Sequence, residues 1–360
     1  GSNSLKIAVD VPSGMDANTG RGFSFLSDVT VTMGLPKIGM FLSIEGQKKC
    51  GKIIPVDIGF PKELVEEVRS RVFFIEKNDI CRFISKKPVI SHKGDFGRPL
   101  LIAGSDAYPG ALILCAGAAL KANAGVITAL ASEKLRNILL TYYPEVTYKV
   151  IKHNATISNY LRISINFSQY SSIGFGPGIC NNKDHSQSLS FLFNKFSGKP
   201  LIIDADGINI LAQNLSLLRK NSLKHVVLTP HPKEFSRLSG FSLNEILKDR
   251  MTCIQQFSRK YRVFIVLKGY NSLISTPEGR LFVNSSGNPC LSTAGTGDVL
   301  TGILSAFSGF KDKELIDAII SSVYIHGLAG DLILQEKGSY GITASDIIEK
   351  IPQAINSILR

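Results

Sequence analysis

The sequence has 360 residues, of which 44% are hydrophobic, enough for one large α/β domain with a substantial core plus a smaller unit. Its formal charge of +12 is spread in Lys and Arg runs no longer than a pair, which suits polyanionic small molecules such as nucleotides and argues against nucleic acid as partner. No apolar run in the sequence reaches a membrane span, no signal-peptide pattern is seen, and the six cysteines form no CxxC pair; the expectation is a soluble, cytoplasmic protein with reduced thiols, without membrane partner, zinc site or disulfide framework.

In chain order, a strand over Lys6 to Val9 runs into Asp10-Val11-Pro12-Ser13-Gly14-Met15-Asp16, an acidic loop of the kind that open parallel sheets present at the carboxyl ends of their strands. Strands are expected at Val29 to Met33 and Ile53 to Ile58, separated by a basic loop carrying Lys37, Lys48, Lys49 and Lys52. Three strands with hardly a helix cannot cover a parallel sheet, so this segment either packs on the remainder or is the tail of a longer domain. Lys62 to Ser70 reads as a short helix and Val72 to Val89 as linker.

From Ser91 the pattern becomes regular. Strands are predicted at Leu100 to Ala103, Val126 to Leu130, Leu201 to Asp204, Val226 to Leu228 and Val263 to Leu267, with helices at Ala111 to Ala122 and Glu133 to Leu140. Ser242 to Glu245 is a capping box opening a long helix to about Lys260, and Asn271 to Ser275 pairs with Leu281 to Asn284. Helices over about Asp312 to Leu334 and Ala344 to Leu359, the latter interrupted at Pro352, close the chain. The βαβα alternation predicts a doubly wound α/β sheet with helices on both faces, its glycine loops gathered along one edge.

In Ala294-Gly295-Thr296-Gly297-Asp298 two glycines turn successive amides into one concavity, and the helix that follows aims its free N–H groups at the same point. Asp298 repels any phosphate held there, which makes chemical sense if a hydroxyl proton must be removed as the hydroxyl meets a phosphoryl group; the plainer reading is an acidic residue favourable in a first helical turn. Gly174 to Gly178 reads as a tight glycine-proline loop. His231 stands between two prolines that fix its direction, Glu234 starts the next helix, and Lys268-Gly269 sets an ammonium beside a bare amide. Asp204 and Asp206 would hold Mg²⁺ through water or a ribose hydroxyl, or simply start a helix. No Walker A motif, serine elbow or dinucleotide fingerprint occurs.

His92 to Gly97, Gly104 to Ala111, Gly176-Pro177-Gly178, Asp204-Ala205-Asp206, Leu228 to Phe235, Lys268-Gly269 and Gly295 to Asp298 together resemble the NAD(P)H-hydrate dehydratase family, over about Ser91 to Ile358. The resemblance implies a ribokinase-like fold and a lyase that repairs hydrated NAD(P)H with ADP, or ATP, as phosphoryl donor and Mg²⁺. It implies Asp298 as catalytic base and Ala111, Gly176, Gly178, His231 and Asp298 as contacts to the (6S)-hydrate. Lys268, Gly269, Tyr270, Asn271, Ser272, Gly295, Thr296 and Gly297 are implied to hold the adenine nucleotide. Residues 72–360 would be this domain, and a homo-oligomer is expected. The N-terminal motifs, with Thr32 to Gly39 and Pro55 to Gly59, resemble the closing third of an NAD(P)H-hydrate epimerase, a partial Rossmann-like segment over residues 1–71. There Asp10 would be the substrate-contacting acid and Ser13 a potassium ligand. The earlier strands of that domain are not in this sequence, so epimerisation by the chain as given is not expected. The alternatives are a ribokinase-like kinase of a vitamin precursor or sugar, and a non-catalytic nucleotide-binding protein.

Overall fold

The computed structural model describes residues 4–359 apart from 69, 82, 87–88, 152–155, 181–182, 197, 220–224 and 312. Strands β1 (Ile7–Val9), β2 (Val29–Met33) and β3 (Lys52–Val56) form a parallel three-stranded sheet in the order β1-β2-β3. The ten-stranded sheet contains β4 (Val72–Ile75), β5 (Pro99–Ile102), β6 (Thr128–Ser132), β7 (Thr147–Ile151), β8 (Ser172–Phe175), β9 (Leu201–Ile203), β10 (Val226–Leu228), β11 (Phe264–Leu267), β12 (Leu273–Ser275) and β13 (Leu281–Asn284). Its order is β4-β13-β12-β11-β10-β9-β8-β5-β6-β7, parallel throughout except for the two antiparallel pairings of β12.

Alternation along each strand feeds two cores. Leu101 and Ile202 face the helices Pro109–Lys121, Thr296–Phe307, Leu315–Lys337 and Ala344–Ile358, whereas Leu100, Ile102, Leu201 and Ile203 face Lys183–Lys195, Pro232–Ser239 and Arg250–Tyr261. Coverage of both faces explains why β5, β8, β9 and β10 are fully buried runs. Gly302 lets two of these helices touch: a Cβ there would lie 2.3 Å from the Cys115 carbonyl oxygen. The expected doubly wound sheet with helices on both faces is present.

Several expectations need correction. The expected linker from Val72 begins instead as regular structure, because Val72–Ile75 pairs in parallel with β13 at the edge of the large sheet and Lys77–Ile80 is a short helix. The segment between β2 and β3 is not a loop: it holds the helices Gly39–Leu42 and Ile44–Cys50, with Lys48 and Lys49 in the latter's last turn, where they favour the helix dipole. The long helix after Ser242 is two, Leu243–Lys248 and Arg250–Tyr261, because Asp249 leaves helical geometry and caps the second. Pro352 does not interrupt Ala344–Ile358, whose apolar face of Ile347, Ile348, Ile351 and Ala354 is anchored in the core. Strand β7 and the helix Ile157–Ser164 were not anticipated.

The penultimate helix spans Leu315–Lys337, and its predicted start at Asp312 lies outside the described residues. It is long and apolar enough to cross a membrane by length and composition, contrary to the sequence reading, but 67% of its most apolar stretch is buried among its neighbours as a core helix. All six cysteines are free thiols, four of them buried.

Candidate active site

Sheet growth reverses between β5 and β8: β6 and β7 extend one side, β9, β10 and β11 the other. Loops leaving such neighbours diverge and open a crevice at their carboxyl ends. Here the crevice is pinned by the Gly104 amide donating to the Pro177 carbonyl at 2.7 Å. Gly176, at φ +127°, passes so close to β9 that a Cβ would sit 2.0 Å from the Asp204 carbonyl oxygen. Gly178 faces Ala111, with 2.7 Å between the Ala111 Cβ and a Cβ built on the glycine. Three predicted substrate contacts therefore share this crevice.

Asp204, 1% exposed, follows β9. Its Oδ1 lies 2.7 Å from Lys268 Nζ and its Oδ2 accepts from Thr301 Oγ1 at 2.9 Å. Both oxygens are thus engaged within the protein. The neighbouring Asp206 accepts the Cys180 amide at 2.9 Å. Lys268 also lies 3.9 Å from Glu234 Oε2. Burial disfavours its charge, but Asp204 and Glu234 more than offset that and hold its pKa above the usual lysine value.

His231 begins Pro232–Ser239 through a capping box: its Nδ1 accepts the amides of Lys233 and Glu234, at 3.1 and 3.2 Å, and the Glu234 carboxylate accepts the His231 amide at 2.8 Å. Nδ1 is therefore unprotonated, and burial lowers the ring pKa, so a neutral imidazole presents Nε2–H. Glu234 is more than a helix-start residue, since it also faces Lys268.

The helix Thr296–Phe307 starts from Gly295 at φ +88°, where a Cβ would lie 2.5 Å from Leu114 Cδ1. Among the described residues the amides of Gly297 and Asp298 have no backbone acceptor. A Cβ on Gly297 would be 3.3 Å from Lys268 Nζ, so bare backbone faces the ammonium. Burial first, then the Asp204 carboxylate, push the Asp298 carboxyl up to about 7. The Cys115 thiol donates to the Asp298 carbonyl at 3.2 Å, one helical turn from Ala111, which sets the Asp298 backbone close to the helix that borders this crevice.

A cleft of about 550 Å³ opens beside it, lined by His231, Lys268 to Ser272, Thr296 and Gly297. It gathers the predicted nucleotide residues except Gly295, and His231 borders it too. A second cavity, about 610 Å³, lies against Phe83, Phe96, Phe307 and Phe310 and contains none of the predicted site residues. Asp10 and Ser13 belong to the three-stranded unit; Asp10, at φ +66°, is bound by Lys37, Thr32 and the Met33 amide of that unit. Sequence reasoning missed Thr301, although its position three residues after Asp298 places it on the same helix face. It also missed His326, a cleft residue whose pKa burial lowers to about 4.

A family model described as NAD(P)H-hydrate dehydratase matches residues 99–353. The bifunctional NAD(P)H-hydrate repair enzyme Nnr of Thermofilum pendens is 35% identical over 365 residues, covering 99% of this chain and 68% of that protein. Its counterpart in Escherichia coli is 31% identical, with 97% and 65% covered. The ADP/ATP-dependent NAD(P)H-hydrate dehydratase of Bacillus subtilis, co-crystallised with ATP/Mg²⁺, superposes with a TM-score of 0.71 at 27% identity, covering 80% of this chain and 99% of that one. With the ribokinase-like sheet, the crevice at its switch point and this match over most of the length, the chain belongs to the NAD(P)H-hydrate dehydratase family.

Proposed function

We propose that this chain repairs hydrated NAD(P)H by dehydrating the (6S)-hydrate with ADP as phosphoryl donor, releasing AMP and phosphate. The observation that carries the reading is Asp298 in the first turn of Thr296–Phe307: its carboxyl pKa is raised to about 7, its backbone carbonyl meets Cys115 one turn from Ala111, and its neighbour Gly297 lines the cleft of Lys268 to Ser272. The C6 hydroxyl of the hydrate is a poor leaving group. Asp298 takes its proton as the oxygen attacks the terminal phosphorus, the bond to AMP breaks, and the free amides of Gly297 and Asp298 with Lys268 receive the phosphoryl charge. The ring nitrogen lone pair then expels phosphate from C6, and loss of a C5 proton restores the dihydropyridine.

Among the described residues no group of three His, Cys, Asp or Glu is placed to hold a metal. With Asp204 occupied by Lys268 and Thr301, the site fits a Mg²⁺ carried on the nucleotide phosphates with its own waters, for which Asp206 and Asp298 are the available carboxylates. When bound, the ion would neutralise charge on the transferring phosphoryl group.

We assign residues 72–360 to the dehydratase and 1–71 to the closing part of an epimerase unit. Supporting the boundary, Val72 is the first residue of the large sheet, and β1 to β3 pair only with each other among the described residues. Asp10, at the carboxyl end of β1, would be that unit's substrate acid, and Ser13, exposed in the next turn, one ligand of K⁺.

The test is incubation with hydrated NADH and Mg²⁺, with ADP and ATP in parallel. Return of dihydronicotinamide absorbance together with phosphate release supports the reading and identifies the donor. A stable phosphorylated product without that absorbance would mean a kinase.

A further inference from the structure

The loop Lys268 to Ser272 is gripped from two sides. Below it lies Arg250, 1% exposed, whose Nη1 donates to the Tyr270 carbonyl and Nη2 to the Asn271 carbonyl, both at 3.2 Å. Its Nε has no partner, and among the described residues no carboxylate pairs with the guanidinium. From the other side Gln47, buried in the helix Ile44–Cys50, donates Nε2–H to the same Tyr270 carbonyl at 3.0 Å, and the Tyr270 hydroxyl donates to the Gly51 carbonyl at 3.0 Å. Both lone pairs of one loop carbonyl are therefore taken by residues from two different sheet units. The next residue, Asn271, sits at φ +47° and is fastened by its Nδ2 to the Asn284 carbonyl at 2.9 Å. A buried cation without an anion is costly, and the planar fork of arginine fits two adjacent carbonyls where an ammonium cannot.

We propose that Arg250 and Gln47 are positioning residues for the nucleotide loop, so that adenine-nucleotide affinity depends on the three-stranded N-terminal unit as well as on the dehydratase domain. The inference rests on reading Lys268 to Ser272 as the nucleotide loop. Neither residue touches the reacting atoms; each fixes the backbone that presents Gly269 and the Lys268 ammonium to the phosphates.

The experiment is calorimetric titration of ADP·Mg²⁺ into the full chain and its Gln47→Ala, Tyr270→Phe, Arg250→Lys and Arg250→Met variants, with KM and kcat for both substrates and a melting curve for each. Gln47→Ala is expected to weaken ADP binding roughly 3- to 10-fold, about the worth of one hydrogen bond. The loss should appear in KM for ADP, leaving KM for the hydrate unmoved, and Arg250→Lys should lose more. Should the arginine variants fail to fold, Gln47→Ala and Tyr270→Phe decide. Lowered melting temperature with ADP affinity unchanged in these two variants would overturn the inference and leave the nucleotide reading standing. Absence of ADP binding by the unmodified chain would overturn both.

Discussion

Thr301 Oγ1 donates to Asp204 Oδ2 at 2.9 Å, locking the helix that carries Asp298 to the strand end that holds Lys268. Thr301→Val keeps the shape and removes the donor, leaving a buried carboxylate oxygen without it. The expected cost is about 1–3 kcal/mol of folding stability, read from urea denaturation. Because Asp204 then interacts differently with its surroundings, a fall in activity at saturating substrates should accompany the loss of stability.

As the proposed base, Asp298 would work only when ionised, and its pKa is raised to about 7. The pH profile of kcat/KM for the hydrate should therefore climb through neutrality on its acid side. In Asp204→Asn the carboxylate that repels the ionised base is gone, and the limb should move to lower pH. An unmoved limb would show that the titrating group is not Asp298.

Asp298→Asn should reduce turnover roughly 10²- to 10⁴-fold if the carboxylate is the general base. The same variant has a stability signature. Between the ordinary carboxyl value of 3.8 and about 7 the folded chain holds a proton that the unfolded chain has released, so stability declines as pH rises through that window. An amide cannot ionise. Melting curves at pH 5 and pH 8 should show the Asp298→Asn variant gaining on the parent chain at the higher pH, an inactive but sturdier protein.

Gly295→Ala and Gly297→Ala separate backbone strain from ligand access. Gly295 is left-handed and abuts Leu114, so alanine there should destabilise by more than about 1 kcal/mol in chemical denaturation. At Gly297 a methyl meets only the end of the Lys268 side chain and a carboxylate oxygen 3.6 Å away. The fold should tolerate it, and KM for ADP should rise instead.

The glycine loops were readable in the sequence because their role is a backbone property: Gly176, Gly178 and Gly295 all have positive φ and a neighbour where a side chain would be. The buried β5, β9 and β10 declare themselves as short apolar runs. Strand β7 does not, since its residues are only half covered at the sheet edge. Strand β4 was hidden for another reason, namely that its partner β13 lies some two hundred residues downstream and no local pattern announces such a pairing. The break at Asp249 is a local choice, a capping aspartate inside an otherwise helical stretch, that periodicity overlooked. Arg250 and Gln47 acquire meaning only from partners that the fold delivers, so their sequence neighbourhoods say nothing of them, whereas the spacing of Thr301 from Asp298 carried a signal that went unread.

The reversal of sheet growth between β5 and β8 has a kinetic corollary. It places the crevice of Ala111 and Gly178 on one wall and the Lys268 to Ser272 loop on another, with the start of the Thr296–Phe307 helix between them. With the hydrate in the crevice and the adenine nucleotide in the cleft, as proposed, neither reactant would have to vacate its seat for the other to enter, and phosphoryl would pass directly across the gap. Double-reciprocal plots at several ADP concentrations should intersect rather than run parallel, the mark of a ternary complex and not of a shuttle through a phosphorylated protein.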